Sequence, residues 1–199
     1  MNPRRAWSVG GAALAALFLI SWTLTPRSDV IPILTGADCE GSSSLSSYVG
    51  TDGCIRFPAN YQTLWTHLGS WAIPGEDGGV HDVYTQGSSI EGFRANGVFP
   101  NGSVLVKSVR GVTHERLTTG DAHRATDQMV WFVMVKDSEN RFAESNALWG
   151  DGWGWALFNA ADSTTQTATN YVTDCKGCHV PRELTDWLYV EGYPVLQGP

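Results

Sequence analysis

Cys175-Lys176-Gly177-Cys178-His179 stands close to the C-terminal end of the chain, and both its content and its place decide what the rest can be. Two cysteines three apart, with a histidine directly after the second, form the attachment signature of c-type haem. The thiols add to the two haem vinyl groups, and a spacing of three puts both sulfurs on one side of a helical turn. The following imidazole then lies under the iron as its proximal ligand. A thioredoxin-like pair would want a βαβ context and needs no histidine, and a zinc site wants a second pair of ligands. The other cysteines, Cys39 and Cys54, lie fifteen apart and match neither pattern. The expected cofactor is therefore haem c, held covalently by Cys175 and Cys178, with His179 on the iron.

The late position of the motif excludes the commonest haem c fold. In small electron-transfer cytochromes c the motif comes early and a methionine ligand follows it. Here twenty residues follow His179, with neither Met nor His among them. A sixth ligand would have to come from His67, His81, His114, His123, Met129 or Met134. A five-coordinate iron with an open distal face is the simpler expectation, and open iron binds small ligands or does chemistry.

The chain has 199 residues and a net charge of −7, from 13 Lys+Arg against 20 Asp+Glu. That acidity makes nucleic acid an unsuitable partner. Residues 1–27 begin with Arg4 and Arg5 and then run without charge from Ala6 to Pro26, long enough for a helix to cross a membrane. No good cleavage site follows Ile20, so an uncleaved anchor is expected, with a cleaved signal peptide as the alternative. Either exports the domain, to the periplasmic side of the inner membrane or free in the periplasm. Residues 28–54 read as a Ser/Gly-rich tether, with Cys39 and Cys54 pairing in an oxidising compartment.

Residues 55–199 read as one domain. Tyr61, Leu64, Trp65 and Leu68 follow helical spacing, with Gly69 closing the helix. Val80 to Tyr84 reads as a strand, and Ser88 to Asn96 as a helix ended by Gly97. Pro100-Asn101-Gly102 is a turn that launches a strand over Ser103 to Arg110. Gly120 to Thr126 reads as a polar loop. Met129 to Lys136 reads as a strand apolar on both faces, and Trp149 to Phe158 as another, aromatic-rich and beside something bulky. Thr165 to His179 carries the attachment motif into a helix. Lys107 interrupts its strand on the face of Leu105 and Val109. It is either an edge or snorkelling lysine, or one held in the haem pocket, where an amine can react with the macrocycle.

These blocks resemble the cytochrome P-460 family, which also contains the cytochromes c′-β. The likeness rests on Phe57-Pro58-Ala59-Asn60-Tyr61 with Trp65 and Gly69, on Val83-Tyr84, and on Gly97 through Lys107. It continues in Val135-Lys136-Asp137-Ser138, Arg141-Phe142-Ala143, the attachment motif, Asp186, and Tyr193-Pro194-Val195-Leu196. The resemblance implies an α+β fold: a mainly antiparallel β-sheet with flanking helices and a C-terminal haem-attachment helix, here behind an N-terminal membrane-spanning or signal helix. It also implies a homodimer. Lys107 falls where cytochromes P-460 carry a lysine bonded to a haem meso carbon, a feature associated with oxidation of hydroxylamine to nitrogen oxides.

Two positions depart from the family pattern. The distal arginine aligns with His81, and a distal carboxylate that assists proton removal aligns with Phe132. His81 is then the replacement base, with Asp82, His123 and Asp127 behind it. Alternatively, Phe132 caps an apolar distal face, as in the c′-β members that bind nitric oxide. Three functions stay open at this point. One is an oxidoreductase on hydroxylamine or a related small nitrogen compound, passing electrons to an electron-accepting cytochrome. The second is a nitric-oxide-binding scavenger or sensor, and the third a membrane-tethered electron carrier.

Overall fold

The computed structural model describes residues 39–75 and 78–198. The expected N-terminal anchor or signal helix lies outside these residues, and among them no helix is long and apolar enough to cross a membrane. The fold is α+β. Its elements are α1 (Tyr61–Leu64), β1 (Thr66–Ile73), β2 (Gly79–Thr85), α2 (Gly87–Asn96), β3 (Val104–Leu117) and β4 (Gly120–Lys136), followed by β5 (Trp149–Gly150), β6 (Trp153–Asn159) and β7 (Asp162–Gln166). A π-helical turn, Val172–Lys176, then runs into α3 (Gly177–His179), and three short 3-10 turns finish the chain. The strands form one antiparallel sheet in the order β1-β2-β3-β4-β6-β5, with β7 also pairing with β6.

Because alternate residues of a strand face opposite ways, the central strands feed two separate cores. Val104, Val106, Val133, Val135, Ala156 and Phe158 face one side, against Val49, Ile55, Phe57 and Tyr61 from the N-terminal stretch. Leu105, Met134, Trp153 and Trp155 face the other, with Ile90 and Phe99 and with Trp187, Leu188, Tyr193 and Leu196 from the C-terminal segment. A sheet covered on both sides explains why β4 is apolar on both faces.

Several sequence expectations change. The helix starting at Tyr61 stops at Leu64, and Trp65 is already extended. Leu68 and Gly69 belong to β1, whose backbone pairs with β2. Sheet pairing wins over an i, i+3, i+4, i+7 pattern that a strand edge also satisfied. Gly69 does not close a helix; a Cβ there would sit 2.1 Å from the Gly192 carbonyl oxygen. Gly97, by contrast, caps α2 in the left-handed region as expected (φ 74°).

Residues 120–126, expected as a polar loop, continue β4. The ladder with β3 runs out to Leu117 opposite Gly120. This outer ribbon is exposed and charged, with Arg116 2.9 Å from Asp121 and Arg124 3.2 Å from Glu115, which is why its composition imitated a loop. Trp149 to Phe158 is two strands, because Asp151 and Gly152 (φ 55° and 80°) form the tight turn between β5 and β6. The stretch expected as a free tether is docked from residue 39 onward. Cys39 is bonded to Cys54, Val49 is fully buried, and the Arg56 guanidinium binds the carbonyls of Cys39, Gly41 and Ser47.

A disulfide closing a loop of this size stabilises a fold by about 3 kcal/mol. Replacing both Cys39 and Cys54 by Ser should therefore lower the thermal midpoint by roughly 6–12 °C at neutral pH. An unchanged midpoint in a calorimetric scan would show that packing alone holds the segment.

Candidate functional site

Lys107, Phe132, Cys175, Cys178 and His179 line a single cleft of about 740 Å³, mouth included, between the sheet and the C-terminal segment. Val83, Leu105, Met134, Trp155, Leu188 and Tyr193 supply its apolar walls. Cys175 is buried and Cys178 exposed, and neither is in a disulfide. Burial pushes the Cys175 thiol up to about 11. It therefore stays protonated at neutral pH, the state from which S–H adds across a vinyl group.

The attachment segment is fixed before it reaches the cleft. The Asp174 carboxylate accepts hydrogen bonds from the Thr169 and Asn170 amides (2.7 and 3.1 Å) and from the Thr173 hydroxyl (2.7 Å). Lys176 bridges to Asp151 at 2.7 Å. The Tyr171 ring lies where a side chain at residue 150 would be, 2.3 Å from the position of a Cβ, so the close approach requires Gly150. Trp155 is stacked on Tyr171 and meets the His179 ring edge-on, centroids 4.8 Å apart.

His179 Nδ1 is 2.7 Å from the Trp187 carbonyl oxygen. A carbonyl only accepts, so Nδ1 carries the proton and Nε2 is the lone-pair nitrogen available to a metal. Burial, followed by the Lys107 charge, lowers the His179 pKa against the pull of the Trp187 carbonyl, which keeps the ring neutral as a ligand must be.

Lys107 is not an edge lysine. β3 lies between β2 and β4, and the side chain faces the cleft, its ammonium 4.2 Å above the Phe132 ring centroid. Burial lowers its pKa, partly offset by the charges Cys178 and Cys175 would carry as thiolates. Thioethers cannot ionise, so attachment of haem removes that offset.

His81 stands on the same face of β2 as Val83, opposite Val109 on β3, but it is not among the residues lining the cleft. Its Nδ1 is buried without a hydrogen-bond partner. Burial, then Lys107, lower its pKa, with Asp82 opposing. Asp82 is on the other face, 2.5 Å from the Ser70 hydroxyl and 2.7 Å from the Arg110 guanidinium. His123 and Asp127 lie exposed on the outer β3–β4 ribbon. These three are therefore removed as distal bases. Among the alternative iron ligands, Met134 lines the cleft, Met129 is exposed, and His114 stacks on His123 far out on the ribbon.

The family model for cytochrome P460 matches residues 58–190. The chain belongs to the cytochrome P460 family. A search of curated proteins finds no match. Membership of the P460 family implies haem c and action on nitrogen compounds. The donor set fits that group: two uncommitted thiols, a neutral imidazole with one nitrogen tied to a carbonyl, and apolar walls share one cleft.

Sequence reading missed two contributors, Trp155 and the Trp187 carbonyl, and named Met134 only as a candidate iron ligand. Met134 and Trp155 were within reach of strict alternation, from Phe132 along β4 and from Trp153 along β6. The Trp187 carbonyl carries no sequence signal, because any residue has one.

In the haem-free chain, Lys107 has no hydrogen bond or ion pair among the described residues, and removing its charge should stabilise the fold. Lys107→Met is expected to gain on the order of 1 kcal/mol at pH 7. Because burial holds the folded-state pKa of Lys107 below its ordinary 10.5, wild-type stability rises with pH through that window. The gap between variant and wild type should therefore narrow as pH approaches 10.5, in urea unfolding at several pH values.

Proposed function

We propose that this cytochrome P460-family protein oxidises hydroxylamine to nitrogen oxides, with Lys107 bonded to a haem meso carbon. The observation that carries the reading is Lys107 itself, a lysine on a central strand with no ion-pair partner among the described residues, facing the cleft lined by Cys175, Cys178 and His179. Its lowered pKa favours the neutral amine, the form with a lone pair to offer. Bond formation replaces one N–H and one C–H; two protons and two electrons leave, the electrons to an oxidant of the peroxide class.

Bound haem c would supply an iron able to take the substrate nitrogen and its electrons. The chain's own residues hold the group, exclude water and move protons. Cys175 and Cys178 anchor it, and His179 ligates through Nε2. Phe132, Leu105 and Val83 keep the sheet side of the cleft dry, and a small neutral amine tolerates that. His81, which stands outside the cleft lining, would take the substrate's protons through a bridging water, its ring being neutral at pH 7. Electrons pass on to an electron-accepting cytochrome. The domain works at the periplasmic side of the inner membrane, tethered by its N-terminal helix, as a homodimer.

A second reading has its own support. Asp174 is the one carboxylate lining the cleft, and it is committed to the backbone of its own loop. Phe132 stands directly opposite Lys107 in the β3–β4 register. An apolar face of that kind admits a neutral diatomic and offers little to a developing charge, which favours nitric oxide binding.

The visible spectrum of the matured protein separates the two. A strongly red-shifted Soret band on reduction, lost in Lys107→Ala, is expected for the bonded haem. An ordinary five-coordinate haem c spectrum with tight nitric oxide binding would move the assignment to the second reading, and sharp six-coordinate bands would point to an electron carrier.

Hydroxylamine turnover tests His81. Its pKa is held below 6.5, so kcat, which does not carry the free substrate's own deprotonation, should rise as pH increases toward 6.5 and level off above it. His81→Ala should lower kcat by about 10²–10⁴-fold and abolish the acid limb. A variant that keeps both rate and pH profile would exclude His81 as the base.

A further inference from the structure

Asp186 and Trp187 are consecutive non-glycine residues in the left-handed region, with φ of 56° and 66°. Such residues persist only where surrounding structure over-determines them, and they gather at functional sites. The conformation caps the 3-10 turn Val180–Thr185, with the Trp187 amide donating to the Arg182 carbonyl at 2.8 Å, and it places the Trp187 carbonyl on His179 Nδ1.

What holds it is a buried ion pair. The Asp186 carboxylate receives the Lys136 ammonium on one oxygen, with side chains 6% and 9% exposed. The other oxygen accepts the Phe99 amide at 3.0 Å. Lys136 is the last residue of β4, four positions from Phe132, and its ammonium also lies 4.7 Å over the Trp153 ring. The pair thus ties the end of β4 and the start of the chain after α2 to the turn that carries the carbonyl. Neither residue lines the cleft.

We propose that Lys136 and Asp186 are positioning residues for the iron's histidine ligand. They fix the Asp186-Trp187 turn, the turn fixes the Trp187 carbonyl, and the carbonyl sets the orientation and basicity of His179. A hydrogen bond from Nδ1–H to a fixed acceptor makes the ligating nitrogen more electron-donating, which favours the oxidised iron. Loosening the pair weakens that donation. The inference rests on His179 as the axial ligand, and is independent of which nitrogen compound the protein handles.

The test is resonance Raman spectroscopy and redox titration of the matured holoprotein. Asp186→Asn keeps an acceptor for the Phe99 amide and a residue that tolerates the left-handed region, while removing the charge pair. It should lower the iron–histidine stretching frequency and shift the redox equilibrium toward the reduced form by about tenfold, or about 59 mV for one electron. Lys136→Arg, which retains the charge, should stay close to wild type. Arg56→Gln serves as the control, because it loosens a buried guanidinium on the opposite side of the sheet and should change thermal stability alone.

An Asp186→Asn protein with wild-type stretch and potential but lowered stability, like Arg56→Gln, would overturn the proposal. So would failure of both Asp186→Asn and Lys136→Gln to yield holoprotein, since that would assign the pair to folding alone. A reduced wild-type protein whose iron is five-coordinate yet shows no iron–histidine stretch would instead remove His179 as ligand.

Discussion

Over residues 105–110, β3 is flanked on both sides by hydrogen-bonded strands, so a side chain there has no route to solvent around a sheet edge. Lys107 is on this strand and faces inward, where an ammonium without an ion partner raises the free energy of the fold. Natural sheets confine such residues to edges unless the position does something. The rest of the domain is arranged around the space in front of that amine. The C-terminal segment closes over it with Trp187, Leu188 and Tyr193, and brings Cys175, Cys178 and His179 to its rim.

The same sheet has a second face that does no chemistry. Val104, Val106, Val133 and Val135 pack there against Phe57, Tyr61 and the disulfide-bound N-terminal stretch. Strand alternation keeps the two sides apart, residue by residue. Both faces carry a packed core, and the cleft with its amine takes up only part of the side built from Leu105, Met134 and Trp155. Asp82 shows how strict the division is: one residue from His81 in sequence, it is turned to the opposite face and bound to Arg110 and Ser70.

The attachment motif and Lys107 were legible from sequence because each depends on local spacing: a step of three from thiol to thiol, and a step of two between side chains on one strand face. The helix at Tyr61 was misjudged past Leu64 because a buried Leu68 fits either period, and only pairing with β2 decides between them. The outer ribbon was taken for a loop because a strand pair exposed on both faces has no apolar alternation to read. The Trp187 carbonyl and the Lys136–Asp186 pair were beyond reach for a different reason. The pair joins residues fifty apart, and the Trp187 carbonyl, eight residues from His179, is a backbone acceptor that leaves no mark on residue identity.

On both functional readings the haem is held by the same three residues; they differ in what Lys107 and the Phe132 face contribute. The most direct test is mass spectrometry of the mature protein after denaturation and proteolysis. A haem that joins the peptide containing Lys107 to the peptide containing Cys175 and Cys178, two hydrogens lighter than the sum of the free parts, is the expected result. A haem carried by the cysteine peptide alone, with the Lys107 peptide recovered at its unmodified mass, would contradict the account.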